Sequence, residues 1–230
     1  MMIRNRLRSL KRRLKTMPLA RIACDDSGLA LTEFAFVAPF FMTIGLVGTD
    51  TANYVITHMR VSQIAMHVAD NASRVGEHDV LVARKVTEAN INDLFVGADR
   101  FAGGLDLAVN GRVILSSLQV NGDGGQWIQW QRCFGEKIHA STYGNAGDGA
   151  TGTDFPGMGE TGKEITATTG NAVMFVEVVI DYDPIGPLSV AEGEVITYTA
   201  AFNVRDSRDL TQVYQTNPAS PVATCTQPTT

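Results

Sequence analysis

Residues 28–50 constrain the chain more than any other stretch. They read Gly-Leu-Ala-Leu-Thr-Glu-Phe-Ala-Phe-Val-Ala-Pro-Phe-Phe-Met-Thr-Ile-Gly-Leu-Val-Gly-Thr-Asp, with Glu33 the single charge before Asp50. An apolar segment of about 20 residues is long enough to cross a bilayer core as a helix. A carboxylate within such a segment costs about 2.5–3.5 kcal/mol at the centre and less near the interface. Glu33 therefore needs a reason to be there. Residues 1–27 carry eight basic residues against Asp25 and Asp26, a net +6 within a chain total of −5, which leaves −11 on the rest. Lys and Arg collect on the cytoplasmic side of membrane helices. Residues 1–28 are accordingly expected to be a cytoplasmic basic leader, 29–50 a transmembrane helix, and the remainder to lie outside. The leader has no interleaved aromatic residues and adjoins an apolar run, so nucleic-acid binding is not its expected use.

The run ends in Gly48-Thr49-Asp50-Thr51 without the small-residue site of a cleaved secretory signal. An uncleaved signal anchor is the plain reading. A sharper one lies at the other end. Gly28-Leu29-Ala30-Leu31-Thr32-Glu33-Phe34 has the form G-x-x-x-x-E-[FY], placed between a basic leader and an apolar helix. Glycine at 28 leaves space for close approach of a protease to the backbone.

That signature is similar to the cleavage site of type IV pilin-like proteins. Its setting resembles the TadE/TadG-like proteins of the tight-adherence (Flp-type) pilus. The resemblance includes Asp25-Asp26-Ser27-Gly28, Glu33-Phe34-Ala35-Phe36-Val37 and Pro39, and continues more weakly through Val61–Ala65 and Ala69–Arg74. Arg208-Asp209-Leu210-Thr211-Gln212 followed by Cys225 resembles the tail of some members. It implies cleavage between Gly28 and Leu29 by a membrane prepilin peptidase, with Leu29 the mature N-terminus and Glu33 its fifth residue. It also implies a minor pilin or pseudopilin in the inner membrane with a periplasmic or extracellular C-terminal domain. The implied partners are the peptidase, other Tad pilins or pseudopilins, the inner-membrane assembly platform and membrane lipid. No nucleic acid, small-molecule substrate or cofactor is expected.

Beyond the apolar run, Tyr54, His58, Val61, Ala65, Val68, Ala72 and Val75 recur at spacings of four and three, an amphipathic helical stripe. An unbroken helix from Leu29 to Val75 would measure roughly 70 Å, with Pro39 expected to kink it or loosen one turn. Gly76 is the expected stop, and a second helix is expected from Asp79, as cap, to Phe95. Residues 51–104 thus read as an amphipathic helical region and 105–230 as a β domain. Four strands are expected: Arg112–Val120 and Gln126–Phe134 around the turn Asn121–Gly125, then Val173–Tyr182 and Val195–Val204. Period-two alternation in the last two predicts an antiparallel sheet with one covered and one wet face. The Thr51–Val75 helix is the expected cover, with Trp127 and Trp130 packed at the sheet. The fold class is α+β, a long N-terminal helix packed on a four-stranded antiparallel sheet. In this it resembles the pilin plan. Residues 135–170, rich in Gly, Thr, Ser and Asp, are expected to form an exposed loop, and 206–230 a tail.

One stretch has the form of a catalytic motif. Gly157–Lys163 fits G-x-x-x-x-G-K, but Glu164 stands where a phosphate loop has a Ser or Thr to contact magnesium. Asp148 and Asp154 lack calcium-loop spacing, and His58 and His67 lack a second ligand one turn away. No catalytic residue, metal ligand or enzymatic activity is expected. Of the three cysteines, Cys24 precedes the membrane, whereas Cys133 and Cys225 follow it into a compartment where disulfides form. A Cys133–Cys225 bond is expected, the alternative being two buried thiols. The competing functional readings are an uncleaved, signal-anchored periplasmic binding or sensor module and, more remotely, a nucleotide hydrolase.

Overall fold

The apolar run and the amphipathic stripe form one helix, α1 (Ser27–Arg74), which continues through Pro39. The computed structural model describes residues 27–79, 82–186, 188–189 and 191–226; most of the basic leader, with Cys24, lies outside the described residues. The chain divides into two units, one ending at Thr49 and one beginning at Asp50.

In the second unit α1 ends where expected. Gly76 takes φ 141°, a conformation that penalises a Cβ. The last carbonyls of the helix find cationic donors: Arg208 reaches Ala72 O at 3.0 Å and Val75 O at 2.6 Å, and Arg84 reaches Arg74 O at 3.1 Å. These charges also complement the negative end of the helix dipole. Burial lowers the Arg208 guanidinium to about 10.

The helix expected from Asp79 is displaced. Asp79 closes β1 (Glu77–Asp79), which pairs with β2 (Val82–Lys85), and α2 runs instead over Glu88–Ala102. Thr87 and Asn90 form the cap reciprocally, each side chain bonding the other's amide at 3.2 and 3.1 Å. Residues 84–88 are held extended by the C-terminal tail. Arg84 N donates to Ser207 O, Tyr214 N to Val86 O and Glu88 N to Tyr214 O. Pairing with a distant segment overrides local helical periodicity. From there α2 buries Ile91, Phe95, Ala98 and Ala102 at helical spacing. A 3-10 turn and the short α3 (Leu107–Asn110) lead into the sheet.

The four strands fall within a residue of expectation: β3 (Gly111–Val120), β4 (Gln126–Phe134), β5 (Val173–Asp181) and β6 (Val195–Asn203). They form an antiparallel sheet in the order β4-β3-β5-β6. The fold is α+β, a long apolar N-terminal helix and a four-stranded antiparallel sheet. Val61, Ile64, Ala65, Val68, Ala69 and Ala72 of α1 share one core with Met174, Val176, Val178 and Ile180 of β5 and with Ile91 and Phe95 of α2. The predicted cover is the observed one. Trp130 packs against the edge of this core.

The opposite face is not wet. Leu118, Ile128, Val173 and Phe175 form a second core with Met158 and Ala167 of the 135–170 segment. That segment, expected as an exposed loop, lies over the sheet. Gly149, at φ 74°, brings the chain so close that a Cβ would sit 2.2 Å from Gln126 O. The turn residue Asn121 donates to Gly149 O and Gly152 O, both at 2.7 Å, tying the hairpin to the cover. Glu177, which alternates with the apolar residues of β5 and so falls on the face predicted to be wet, is 1% exposed. Thr142 gives it an amide at 3.1 Å and a hydroxyl at 2.8 Å, and Ser141 a hydroxyl at 3.1 Å. His139 Nε2 lies 3.3 Å away. The segment meets the strand's carboxylate with donors, which a hydrophobicity pattern does not register.

Two predictions arise. Glu177→Ala strands these donors and should cost about 1–3 kcal/mol in denaturant unfolding, with faster proteolytic cutting between residues 135 and 170. In the tail, the Asp209 carboxyl is held down at about 2, first by the Thr211 hydroxyl and then by the Tyr214 hydroxyl and the Thr211 amide. A depressed carboxylate stabilises the fold above its unfolded pKa of about 3.9 and loses that contribution as pH falls through the folded value. The stability gap between wild type and Asp209→Asn should therefore shrink as acid is added from about pH 4, measured by urea melts across that range.

Candidate functional site: an uncovered apolar helix and a polar collar

In the first unit, side chains that would be core in a soluble protein are uncovered. Leu31 is 72% exposed, Phe36 77% and Phe41 72%, and Leu29, Phe34, Phe40, Met42 and Ile44 are similar. Burying one such side chain is worth about 1.5–3 kcal/mol. A continuous apolar surface of this size marks contact with a membrane or another protein. Among the described helices, only α1 is long and apolar enough to cross a membrane.

The polar groups within the run are internally satisfied with one exception. Thr32, Thr43 and Thr49 each donate a hydroxyl to a carbonyl of their own helix, Leu29 O, Pro39 O and Gly45 O, all at 2.8 Å. Such back-bonding suits surroundings that offer no water. Glu33 makes no hydrogen bond or ion pair with any described residue. It is the only unsatisfied side chain on this surface.

The processing residues occupy the start of α1. Gly28 and Leu29 lie in the first turn, where the backbone amides lack intrahelical acceptors, so the turn opens easily. A Cβ at Gly28 would meet nothing within 4 Å, and neither would one at Gly45 or Gly48. These glycines leave open positions rather than serving a contact within the chain. Glu33 and Phe34 follow one turn on, both exposed.

Where the second unit begins, polar and aromatic groups converge. Asp50 is 3% exposed. Its carboxylate accepts from the Tyr182 hydroxyl and the Ile185 amide, both at 3.1 Å, and from the Ser189 hydroxyl. Asn53 donates to the Tyr182 oxygen at 3.1 Å. The Tyr54 ring stands edge-on to Tyr182 at 5.0 Å and to His58 at 4.5 Å, and His58 Nδ1 lies 3.3 Å from the Tyr198 hydroxyl. Burial raises the Tyr182 phenol above its usual range. This collar was not anticipated as a site. Its one sequence signal is Asp50 itself, the first charge after Glu33.

Cys133 and Cys225 form a disulfide across a sequence separation of 92 residues, which fastens the tail to β4. In the chain-entropy account, closing such a loop is worth on the order of 4.5 kcal/mol. Gly157–Lys163 lies in the cover over the sheet: Met158 and Ile165 pair across it, and the Gly162 amide donates to the Glu164 carboxylate at 2.8 Å. That bond lowers the Glu164 carboxyl below its ordinary range and occupies an amide that a phosphate loop would leave for its ligand. Asp148 caps a turn by accepting from the Asn145 amide. His67 stacks on Phe101 at 4.7 Å. Among the described residues no group of three potential metal ligands occurs.

Asp50→Ala should cost about 1–3 kcal/mol by leaving the Ile185 amide and the Ser189 hydroxyl without their acceptor, read by denaturant unfolding of the full chain. No family model, curated protein or solved structure matches this chain.

Proposed function

We propose that this chain is a TadE/TadG-like minor pilin or pseudopilin that takes part in assembling a tight-adherence pilus. It is made as a single-pass inner-membrane precursor with a cytoplasmic basic leader, and a prepilin peptidase cleaves it between Gly28 and Leu29. Its C-terminal domain lies in the periplasm or outside the cell. The observation that carries this reading is the apolar first part of α1, uncovered from Leu29 onward, with Glu33 its one charge without a partner. The pilin-like plan, in which such a helix continues into an α+β domain, supports it.

The chemistry is one of compensation. Cleavage exposes a new α-amino group at Leu29. In a lipid environment an amine and a carboxylate on neighbouring subunits offset the cost of carrying either alone. Pairing of that kind sets the register between helices packed along residues 29–50. The partners are other Tad pilins or pseudopilins, the assembly platform and lipid.

The mature N-terminus tests the reading. Mass spectrometry of protein from its host's envelope should show Leu29 as the first residue, and replacing Gly28 with a bulky residue should leave the precursor at full length. Glu33→Ala should still be processed while pili are lost. A mature protein that retains its basic leader would instead indicate a signal-anchored periplasmic binding or sensor module.

A further inference from the structure

The two edges of the sheet are treated differently. The outer edge of β4 is occupied: Ile128 exchanges backbone bonds with Gly147 and Asp148 at 2.7 and 3.0 Å, and Cys133 N donates to Ala223 O at 2.8 Å. The cover segment and the tail close that side. On the other side β6 pairs with β5 alone, and among the described residues no backbone or side-chain group bonds its outer edge.

Which groups are open follows from the register. Tyr182 N donates to Glu194 O and Val204 N to Ala172 O, so even-numbered residues of β6 bond inward to β5. Hydrogen-bonded pairs alternate in an antiparallel ladder. Val195, Thr197, Thr199, Ala201 and Asn203 therefore direct their N–H and C=O groups outward. Proteins protect open edges with charge, proline, bulges or cover. Val195–Asn203, Val-Ile-Thr-Tyr-Thr-Ala-Ala-Phe-Asn, contains no charge and no proline, and its pairing with β5 is without a bulge.

We infer that β6 is a strand-addition interface and that its occupant is β6 of a second copy, paired antiparallel about a two-fold axis at Thr199. That register sets Thr199 against its counterpart, Thr197 against Ala201 and Val195 against Asn203. Cross-strand Thr pairs are favourable, and a two-fold contact is self-complementary by construction. Thr199 is the centre of the five outward-directed residues, so this register pairs all of them. The charges that follow the strand are compensated within the chain: Arg205 pairs with Asp70 at 2.9 Å and Asp206 with Arg84 at 3.2 Å. The edge carries no charge by which a charged partner could recognise it, whereas a like strand needs none. The product is a continuous eight-stranded sheet, and the inference is independent of cleavage at Gly28.

Cysteine crosslinking of the full-length chain in detergent tests it, on a Cys24→Ser background with the Cys133–Cys225 bond retained. In the stated register the two Thr199 Cα atoms lie about 5.5 Å apart, within the disulfide range. Thr199→Cys should pass mostly into a disulfide-linked dimer on mild oxidation. Thr197→Cys should do so only when mixed with Ala201→Cys. Thr197→Lys with Thr199→Lys should abolish the dimer in sedimentation while leaving the far-ultraviolet circular dichroism spectrum of the folded monomer unchanged. Monomeric Thr199→Cys, equal crosslinking of Thr197→Cys alone, or a dimer that survives the two lysines would overturn the assignment. The last result would place the contact on another surface, such as the apolar helix.

Discussion

The second unit depends on a stripe of small and β-branched side chains. Val61, Ala65, Val68, Ala69 and Ala72 let α1 lie close to the sheet, where Met174, Val176, Val178 and Ile180 meet it. The alanines in that stripe leave room for close packing of helix on sheet. Phe95 of α2, stacked on Phe134 at 5.7 Å, completes the same core. α2 and the tail, through Leu210, Val213 and Ala223, pack on this same core.

Burying so much of a modest chain requires that its polar groups be satisfied individually. Glu88, at the start of α2, receives a two-pronged bond from Arg132 of β4. Glu177 is met by amide and hydroxyl donors of the cover, Asp50 by the collar, and the C-terminal carbonyls of α1 by Arg208. Removing one member of a buried charged pair leaves the other uncompensated, at a cost of about 3–5 kcal/mol. The Gly-rich cover is a consequence of the same demand. It supplies backbone donors and close approach, and adds Met158 and Ala167 to the second core.

Against that interior, the two features left open stand out. One is the apolar helix before Asp50, whose only charge is Glu33. The other is the outer edge of β6. The cover and the tail close β4, whereas among the described residues nothing bonds the outer edge of β6, and both open features are of kinds that proteins use for assembly.

Much of this was legible in the amino acids themselves. Apolar length marked α1, the spacing of Tyr54 to Val75 marked its covered face, the turn residues Asn121–Gly125 marked the β3–β4 pair, and period-two alternation placed β5 and β6, because these signals come from residues near one another in sequence. The Cys133–Cys225 bond followed from which cysteines come after the apolar run. Glu33 and Gly28 were singled out by local context alone. The start of α2, the burial of Glu177, the layer formed by residues 135–170 and the collar at Asp50 were decided only by tertiary structure. In each, a backbone amide or carboxylate is satisfied by a segment tens of residues away. Such hydrogen bonds depend on where two distant parts of the chain meet, and no periodicity within either part encodes the other's position.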